Sequence, residues 1–198
     1  MGAGKILVKM EKFSKNSKFF MQSGALRAII MASLYKEGIV HMSIERARAH
    51  LRKWNMDGRI RELALSSATV ELAAKALNVE GARIAKTLSY MVDGSPILIV
   101  AAGDIRVDNR KFKDTFHTKA KMLTPDQAAE LVGHAVGGVC PFGVNEGVKV
   151  YLDESLKRFE TVFPAAGSGN SAIELTIPEL EETSLCVGWV DVAKEVEA

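Results

Sequence analysis

Cysteine is almost absent: Cys140 and Cys186 are the only two, 46 positions apart. They form neither a disulfide framework nor a CxxC metal or redox pair, so cysteine usage gives secretion no support. No run approaches the ~18–20 uninterrupted apolar residues of a membrane-spanning helix, which excludes that class of membrane protein. Charge of one sign is scarce in sum. The 26 Lys and Arg against 24 Asp and Glu leave +2, too little for a protein that holds nucleic acid or a membrane by bulk charge. Four histidines, His41, His50, His117 and His134, are scattered without metal-ligand spacing, so no metal or other cofactor is expected. Despite 16 glycines, no GxxxxGK[ST] phosphate loop and no GxGxxG occurs. Internal repeats and low-complexity runs are also missing. What is there is a chain of 198 residues, 47% hydrophobic and 25% charged. That suits one domain with a sizeable core, or one domain plus an appendage.

The charge is unevenly spread. Residues 1–41 hold seven basic side chains (Lys5, Lys9, Lys12, Lys15, Lys18, Arg27 and Lys36) and two acidic ones, or +5, leaving −3 for residues 42–198. The early segment lacks clear periodicity. Its apolar run, Ala28 to Leu34, is not followed by a small-residue cleavage site, and its Lys-rich, Arg-poor composition argues against a transit peptide. Three readings stay open: a flexible or loosely helical basic extension, a segment from an upstream start or from cloning, and a targeting peptide. The expected domain runs from 42 to 198, with Ser43 placed to cap a helix that starts at Ile44.

Along that domain Ile44, Ala47, Leu51 and Trp54 recur at helical spacing, and the helix is expected to end near Asn55. Residues 60–65 read as a strand. Ser66-Ser67 supply a cap for a helix with Val70, Ala73, Ala74 and Leu77 on its buried stripe and Asn78 as its stop. Residues 81–86 read as a helical turn. Thr87–Val92 and Pro96–Ala102 form a hairpin about Asp93-Gly94-Ser95. Residues 108–114 read as a short surface helix. Thr124, Pro125 and Gln127 write a capping box for a helix that Gly137-Gly138 would end. Strands are expected over 148–152, 161–165, 172–177 and 186–192, with helices over 155–159 and from Pro178. Short strands mingled with short helices, without strict βαβ alternation, imply an α+β fold: a mixed, strongly curved or barrel-like β-sheet surrounded by short helices.

Four patches could carry chemistry, and each has a plainer reading. Lys86, between apolar neighbours, is either a solvated charge or a cation at a cleft that meets a phosphate or a developing oxyanion. Gly137-Gly138-Val139-Cys140-Pro141-Phe142-Gly143 is either a helix stop and turn, or a loop whose backbone approaches a ligand and offers N–H donors. Asp153, after a strand, is either an N-cap or an acceptor for a substrate amine or hydroxyl. Gly167-Ser168-Gly169-Asn170 is either a hairpin turn or a pocket wall. Cys140 with His134 six positions earlier could make a thiol nucleophile, although spacing alone establishes no contact. Cys186 reads as core.

Taken in order, these patches resemble the free-standing aminoacyl-tRNA deacylases of the YbaK/ProX type, relatives of the editing domain of bacterial prolyl-tRNA synthetase. The resemblance spans about Ser43 to the C-terminus. It rests on residues 67–74 (Ser-Ala-Thr-Val-Glu-Leu-Ala-Ala), 84–88 (Ile-Ala-Lys-Thr-Leu), 101–103 (Ala-Ala-Gly) and 106–108 (Arg-Val-Asp). It continues through 137–141, 150–153 (Val-Tyr-Leu-Asp) and 165–167 (Ala-Ala-Gly). It implies that Lys86 is the family lysine holding the terminal nucleotide, that Gly137 to Pro141 is the GxxxP loop at the scissile ester, and that Asp153 is the acidic residue after it. The catalytic roles would fall to Lys86, Gly137, Gly138 and Asp153. Substrate contacts would come from Lys86, Thr87, Val139, Cys140, Pro141, Gly167, Ser168 and Asn170. Several members carry a histidine after the late Ala-Ala-Gly. Here that stretch reads Gly-Ser-Gly-Asn-Ser, so the resemblance carries over no histidine-dependent specificity.

The implied activity is hydrolysis of mischarged aminoacyl-tRNA carrying a small amino acid, on tRNA-Pro or a related tRNA, in the cytoplasm and without a cofactor. The implied partners are the acceptor end of an aminoacyl-tRNA and an aminoacyl-tRNA synthetase, with no membrane, and a monomer as the default. The chemistry needs no protein nucleophile, because the ester is activated and requires a positioned water and a stabilised oxyanion. Two other classes remain open: a non-catalytic module that binds the tRNA acceptor end, and a Cys140-dependent thiol hydrolase.

Overall fold

Asp93 and Gly94 both take positive φ, 48° and 76°, the backbone of a tight turn whose twist matches antiparallel strands. On either side lie Ile84–Val92 and Ser95–Ala101, paired from Lys86↔Ala101 to Val92↔Ser95. The computed structural model describes residues 42–63, 69–135 and 137–195. The expected extension 1–41, the Ser66-Ser67 cap and the end of the strand expected over 60–65 lie outside these residues.

Among the described residues the strands are β1 (Arg61–Glu62), β2 (Ile84–Val92), β3 (Ser95–Ala101), β4 (Ile105–Val107) and β5 (Lys149–Asp153). They continue with β6 (Thr161–Pro164), β7 (Ser171–Ala172), β8 (Leu175–Thr176), β9 (Gly188–Val190) and β10 (Ala193–Glu195). Six form one sheet in the order β8-β6-β2-β3-β5-β9, while β1 pairs with β7 and β10 with β4. The pairs β2–β3 and β6–β8 are antiparallel; β2–β6, β3–β5 and β5–β9 are parallel. This is the mixed α+β architecture expected, with the sheet curled into a half-barrel.

The central strand β3 is buried on both faces, which explains its unbroken apolar run. Leu98 and Val100 join Leu51, Phe142, Leu152, Val162 and Leu180 in the main core. Ile97 and Ile99 join Tyr90, Phe112 and Val190 on the opposite face.

The helices are α1 (residues 42–51), α2 (Val70–Leu77), α3 (Asn109–Phe116), α4 (Pro125–Gln127) and α5 (Ile177–Ser184). No helix among the described residues is long and apolar enough to cross a membrane. Helix α1 buries Ile44, Ala47 and Leu51 and runs into a 3-10 turn that stops at Asn55, φ 57°, as the spacing predicts. Ser43 does not cap it. Its hydroxyl lies 3.5 Å from the Gly133 carbonyl, to which it donates, and accepts from Ala135 N–H at 3.4 Å, tying α1 to a distant loop.

Helix α2 is capped by Thr69, whose side chain accepts from Leu72 N–H, and it stops at Asn78 in the left-handed conformation. Helix α4 has its full capping box, with Thr124 and Gln127 each bonding the other's backbone. It then widens into a π turn over Ala128–Val132, and Gly133, φ 88°, ends it four residues before the expected stop. A Cβ on Gly133 would meet Arg46 Nη1 at 2.2 Å. The chain must therefore turn here to let Arg46 pass and reach Asn145 Oδ1 at 2.8 Å. The helix expected at 155–159 is a 3-10 turn, Glu154–Arg158.

Candidate functional site

Side chains of one parity on β2 share a face. Ala85, Thr87 and Ser89 point into a cleft of about 380 Å³. One wall is the start of α2, with Thr69, Val70 and Ala73; the opposite wall is Phe163, Ala165, Ser171 and Ala172. Met122, Leu123, Pro125 and Ala128 close one side, and Gly137 and Val139 another. The lining is mostly apolar with a few hydroxyls, the composition of a pocket for a small organic group.

Lys86 also lines this cleft and is half-buried. Its Nζ donates to the carbonyl of Gly103 at 3.1 Å and to that of Ile105. Burial lowers its pKa below the ordinary lysine value; Asp104 opposes that shift, Arg106 adds to it and Glu71 opposes it. Gly103 permits this arrangement, because a Cβ there would sit 2.0 Å from the Gly81 carbonyl oxygen.

Thr87 presents a hydroxyl whose oxygen is buried and has no hydrogen-bond partner among the described residues. Two other cleft hydroxyls, those of Thr69 and Ser171, are occupied. Thr69 caps α2, and Ser171 accepts from Ser168 N–H and donates to Ser168 O, both at 3.1 Å. Thr87 is thus a spare polar group in the wall beside Lys86.

The glycine loop reaches the cleft in part. Gly137, φ 89°, and Val139 line it. Gly138 does not: its N–H is spent on Ala135 O at 3.0 Å, so it cannot serve the expected donor role. A Cβ on Gly138 would lie 2.6 Å from Ser168 Cα, and the two glycine loops are therefore packed backbone to backbone. Cys140 and Pro141 are buried behind the loop. Gly167, Ser168 and Asn170 stand one step back from the cleft. Ser168 Oγ donates to Asn170 Oδ1 at 2.9 Å, and Asn170 Nδ2 donates to Leu63 O at 3.1 Å, so this loop braces the wall that Ser171 and Ala172 present.

Asp153 is fully buried and lies away from this cleft. Its two oxygens accept from Ser155 N–H at 2.9 Å and from Val192 N–H at 3.0 Å, which makes it the cap of the 3-10 turn and places it apart from the residues that line the cleft. Cys140 is also fully buried, with its thiol pushed up to about 12 by burial. His134, 3.9 Å from that sulfur, is pushed down to about 4, again by burial. Among the described residues no group of three or more His, Cys, Asp or Glu is placed to hold a metal ion.

Lys86, Thr87, Gly137 and Val139 are thus brought together, and Thr69, Ser89, Met122 and Phe163 join them without having been singled out. The alternation Ala85-Thr87-Ser89, small residues along one face of a strand, was the available signal for that face. The aminoacyl-tRNA editing domain matches residues 66–183. The chain belongs to that family. YwhH of Bacillus subtilis (strain 168), an uncharacterized protein, is 53% identical over 157 residues, 79% of this chain and 100% of that one. The proline–tRNA ligase of Lactiplantibacillus plantarum is 28% identical over 112 residues, 56% of this chain but 20% of the ligase. Among solved structures, a candidate trans-editing enzyme for prolyl tRNA synthetase superposes with a TM-score of 0.70 at 28% identity, covering 77% of this chain and 97% of that one. The chain is thus similar in fold to that trans-editing candidate and in sequence to a fifth of that ligase.

Proposed function

We propose that the chain is a trans-editing hydrolase that deacylates mischarged tRNA carrying a small amino acid, on tRNA-Pro or a related tRNA, by ester hydrolysis. The observation that carries this reading is the cleft itself. A mostly apolar cleft of about 380 Å³ has one lysine, Lys86, among its lining residues, which suits a small aminoacyl group beside an anionic nucleotide. Family membership and the trans-editing neighbour support it further.

The reaction asks little of the protein beyond placement. An aminoacyl ester is activated, and a neighbouring ribose hydroxyl can help to direct water onto the carbonyl. Catalysis then consists of orientation and stabilisation of the tetrahedral oxyanion. Lys86 supplies the positive charge for the terminal phosphate or that oxyanion. Gly137, at the cleft wall, is the backbone donor candidate in place of Gly138. Val139, Ala165 and Phe163 bound the amino-acid side chain, and the Thr87 hydroxyl offers it a polar contact. Editing of this kind answers a real limit, since a synthetase separates small apolar side chains by only ~1–3 kcal/mol per methylene. The site lies within residues 42–198, the proposed editing domain; the working compartment is the cytoplasm, where charged tRNA is found.

The test is hydrolysis of a panel of small aminoacyl-tRNAs, mischarged tRNA-Pro among them, by the full chain with Lys86→Ala alongside. Release of one or two amino acids by the wild type and not by the variant is expected. Binding without release from any member would replace the enzyme with an acceptor-end binding module.

A further inference from the structure

The charge on Lys86 is left available by an unusual choice of partners. An ammonium has three N–H donors, and two of these go to the carbonyls of Gly103 and Ile105, which carry no net charge. The residue between those carbonyls is Asp104. Its carboxylate is near enough to Lys86 that each shifts the other's titration. The two are not ion-paired, and the carboxylate is held at both oxygens by Arg158: Nη1 reaches Oδ2 at 3.0 Å and Nη2 reaches Oδ1 at 2.5 Å.

Arg158 is itself anchored. It closes the 3-10 turn Glu154–Arg158, its Nε donates to Ser155 O at 3.0 Å, and its guanidinium lies 5.0 Å above the Phe159 ring. Ser155 Oγ accepts from Ala102 N–H at 3.2 Å, so the turn grips the 102–104 segment at two points. Asp153 caps the start of that turn. A chain of contacts therefore runs from Asp153 through Ser155 and Arg158 to Asp104, the residue between the two carbonyls that hold Lys86, although Asp153 is outside the cleft.

We propose that Arg158 is a positioning residue for Lys86: by holding the Asp104 carboxylate in a two-point ion pair, it keeps that carboxylate off the ammonium, whose charge and third N–H stay free for an anionic group of the tRNA end. Freed from Arg158, Asp104 competes with the substrate for Lys86, and an incoming phosphate must first break an ion pair. A bidentate guanidinium suits the task because it fixes both oxygens in one plane.

The proposal rests on the editing reading for the identity of the anion, so the experiment separates the two. Wild type, Arg158→Ala, Asp104→Asn and the double variant are compared in deacylation kinetics and in Kd for an uncharged acceptor-stem RNA hairpin ending in CCA. Arg158→Ala should raise KM and Kd roughly tenfold, the scale of an ion pair at an effective dielectric of about 20 reduced by exposure, with kcat changed less. Asp104→Asn alone should behave as wild type, and adding it to Arg158→Ala should restore KM and Kd. That rescue cannot come from stability, because the double variant still lacks the ion pair. A double variant as weak as Arg158→Ala, or an Arg158→Ala protein equal to wild type, overturns the proposal. Rescue in hairpin binding with no deacylation by any protein upholds it and overturns the hydrolase reading. Failure of wild type to bind the hairpin or release any amino acid overturns both.

Discussion

The Cys140 sulfur lies 3.9 Å from Nε2 of His134, the contact a cysteine–histidine enzyme would use, and both side chains are wholly shut off from solvent. The thiol instead points at the Phe142 carbonyl, 3.7 Å away, which His134 Nε2 also reaches at 2.9 Å. With burial holding the thiol at about 12, no thiolate forms near neutral pH, and nucleophilic catalysis needs the thiolate. Cys140→Ala should therefore keep its deacylation rate within about twofold while losing roughly 1–2 kcal/mol of stability to the small cavity. Initial rates and the urea midpoint measure the two effects. A rate loss of about 100-fold in a folded variant would restore the thiol enzyme.

His134 also makes the protein sensitive to acid. Burial holds its pKa at about 4 in the folded state, against about 6.5 in an unfolded chain. Nδ1 has no partner among the described residues, so a proton there would bring an uncompensated charge into the core. As pH falls the unfolded state takes up the proton first, so this contribution is complete above about pH 6.5 and is lost as pH falls towards about 4. The urea midpoint of wild type should fall across that window, and His134→Leu should fall less. Parallel curves for the two proteins would rule His134 out as the source.

Local signals carried much of the fold. Asp93-Gly94, the Thr124–Gln127 capping box and the stops at Asn55 and Asn78 each follow from the conformational preference of one or two residues. What escaped is pairing decided far away in sequence. Strands β4 and β10 are three residues each and exist because Ile105–Val107 meets Ala193–Glu195, for which neither segment has a periodic signature. The site divides in the same way. Lys86 and Thr87 were legible through the resemblance carried by residues 84–88, although Lys86, expected in a helical turn over 81–86, stands in β2, and only Gly81–Arg83 form that turn. Asp153 was not, since an acidic residue before Ser155 reads equally as a cap or a ligand, and only its burial against Val192 decides. Gly138 likewise depends on where its N–H points, which composition does not encode.

Thr87→Val tests whether a spare hydroxyl is kept for a ligand. An unpartnered buried hydroxyl costs about 1–3 kcal/mol, so an isosteric methyl there should leave the melting temperature equal or raise it. If the hydroxyl meets the aminoacyl group, deacylation should fall by about tenfold or more, the value of a hydrogen bond lost in a closed site. Opposite movements of stability and rate are the expected result. A variant as active as wild type would mean that water alone satisfies Thr87.

Gly138→Ala should damage the site from behind. A Cβ at this position would lie 2.6 Å from both Cα and N of Ser168 and 2.7 Å from Gly167 C, all backbone atoms that cannot swing aside. The two loops must part, carrying Gly137 and Val139 away from the cleft wall. Overpacking of this kind costs about 1–3 kcal/mol, and the melting temperature should drop with the rate. Gly58→Ala, with nothing within 4 Å of the added carbon, is the control and should change neither. A Gly138→Ala protein with wild-type stability would show that the loops are not locked together.

Lys86→Ala should cut deacylation by about 100-fold or more, the scale of losing one preorganised oxyanion donor, and the pH dependence of binding says why. Burial lowers the Lys86 pKa from its ordinary 10.5, so the ammonium loses its proton at a lower pH than a surface lysine would. Affinity for an anionic RNA end should therefore weaken on the alkaline side while exposed lysines are still charged. Lys86→Arg carries a guanidinium that stays protonated throughout, so its affinity, whatever its value at neutral pH, should remain flat over the same range. Hairpin binding measured for both proteins from about pH 7 to about pH 10 separates the cases. A wild-type curve as flat as that of Lys86→Arg would mean that the charge on Lys86 does not hold the RNA. The lysine would then be a structural tie between β2 and the Gly103–Ile105 segment.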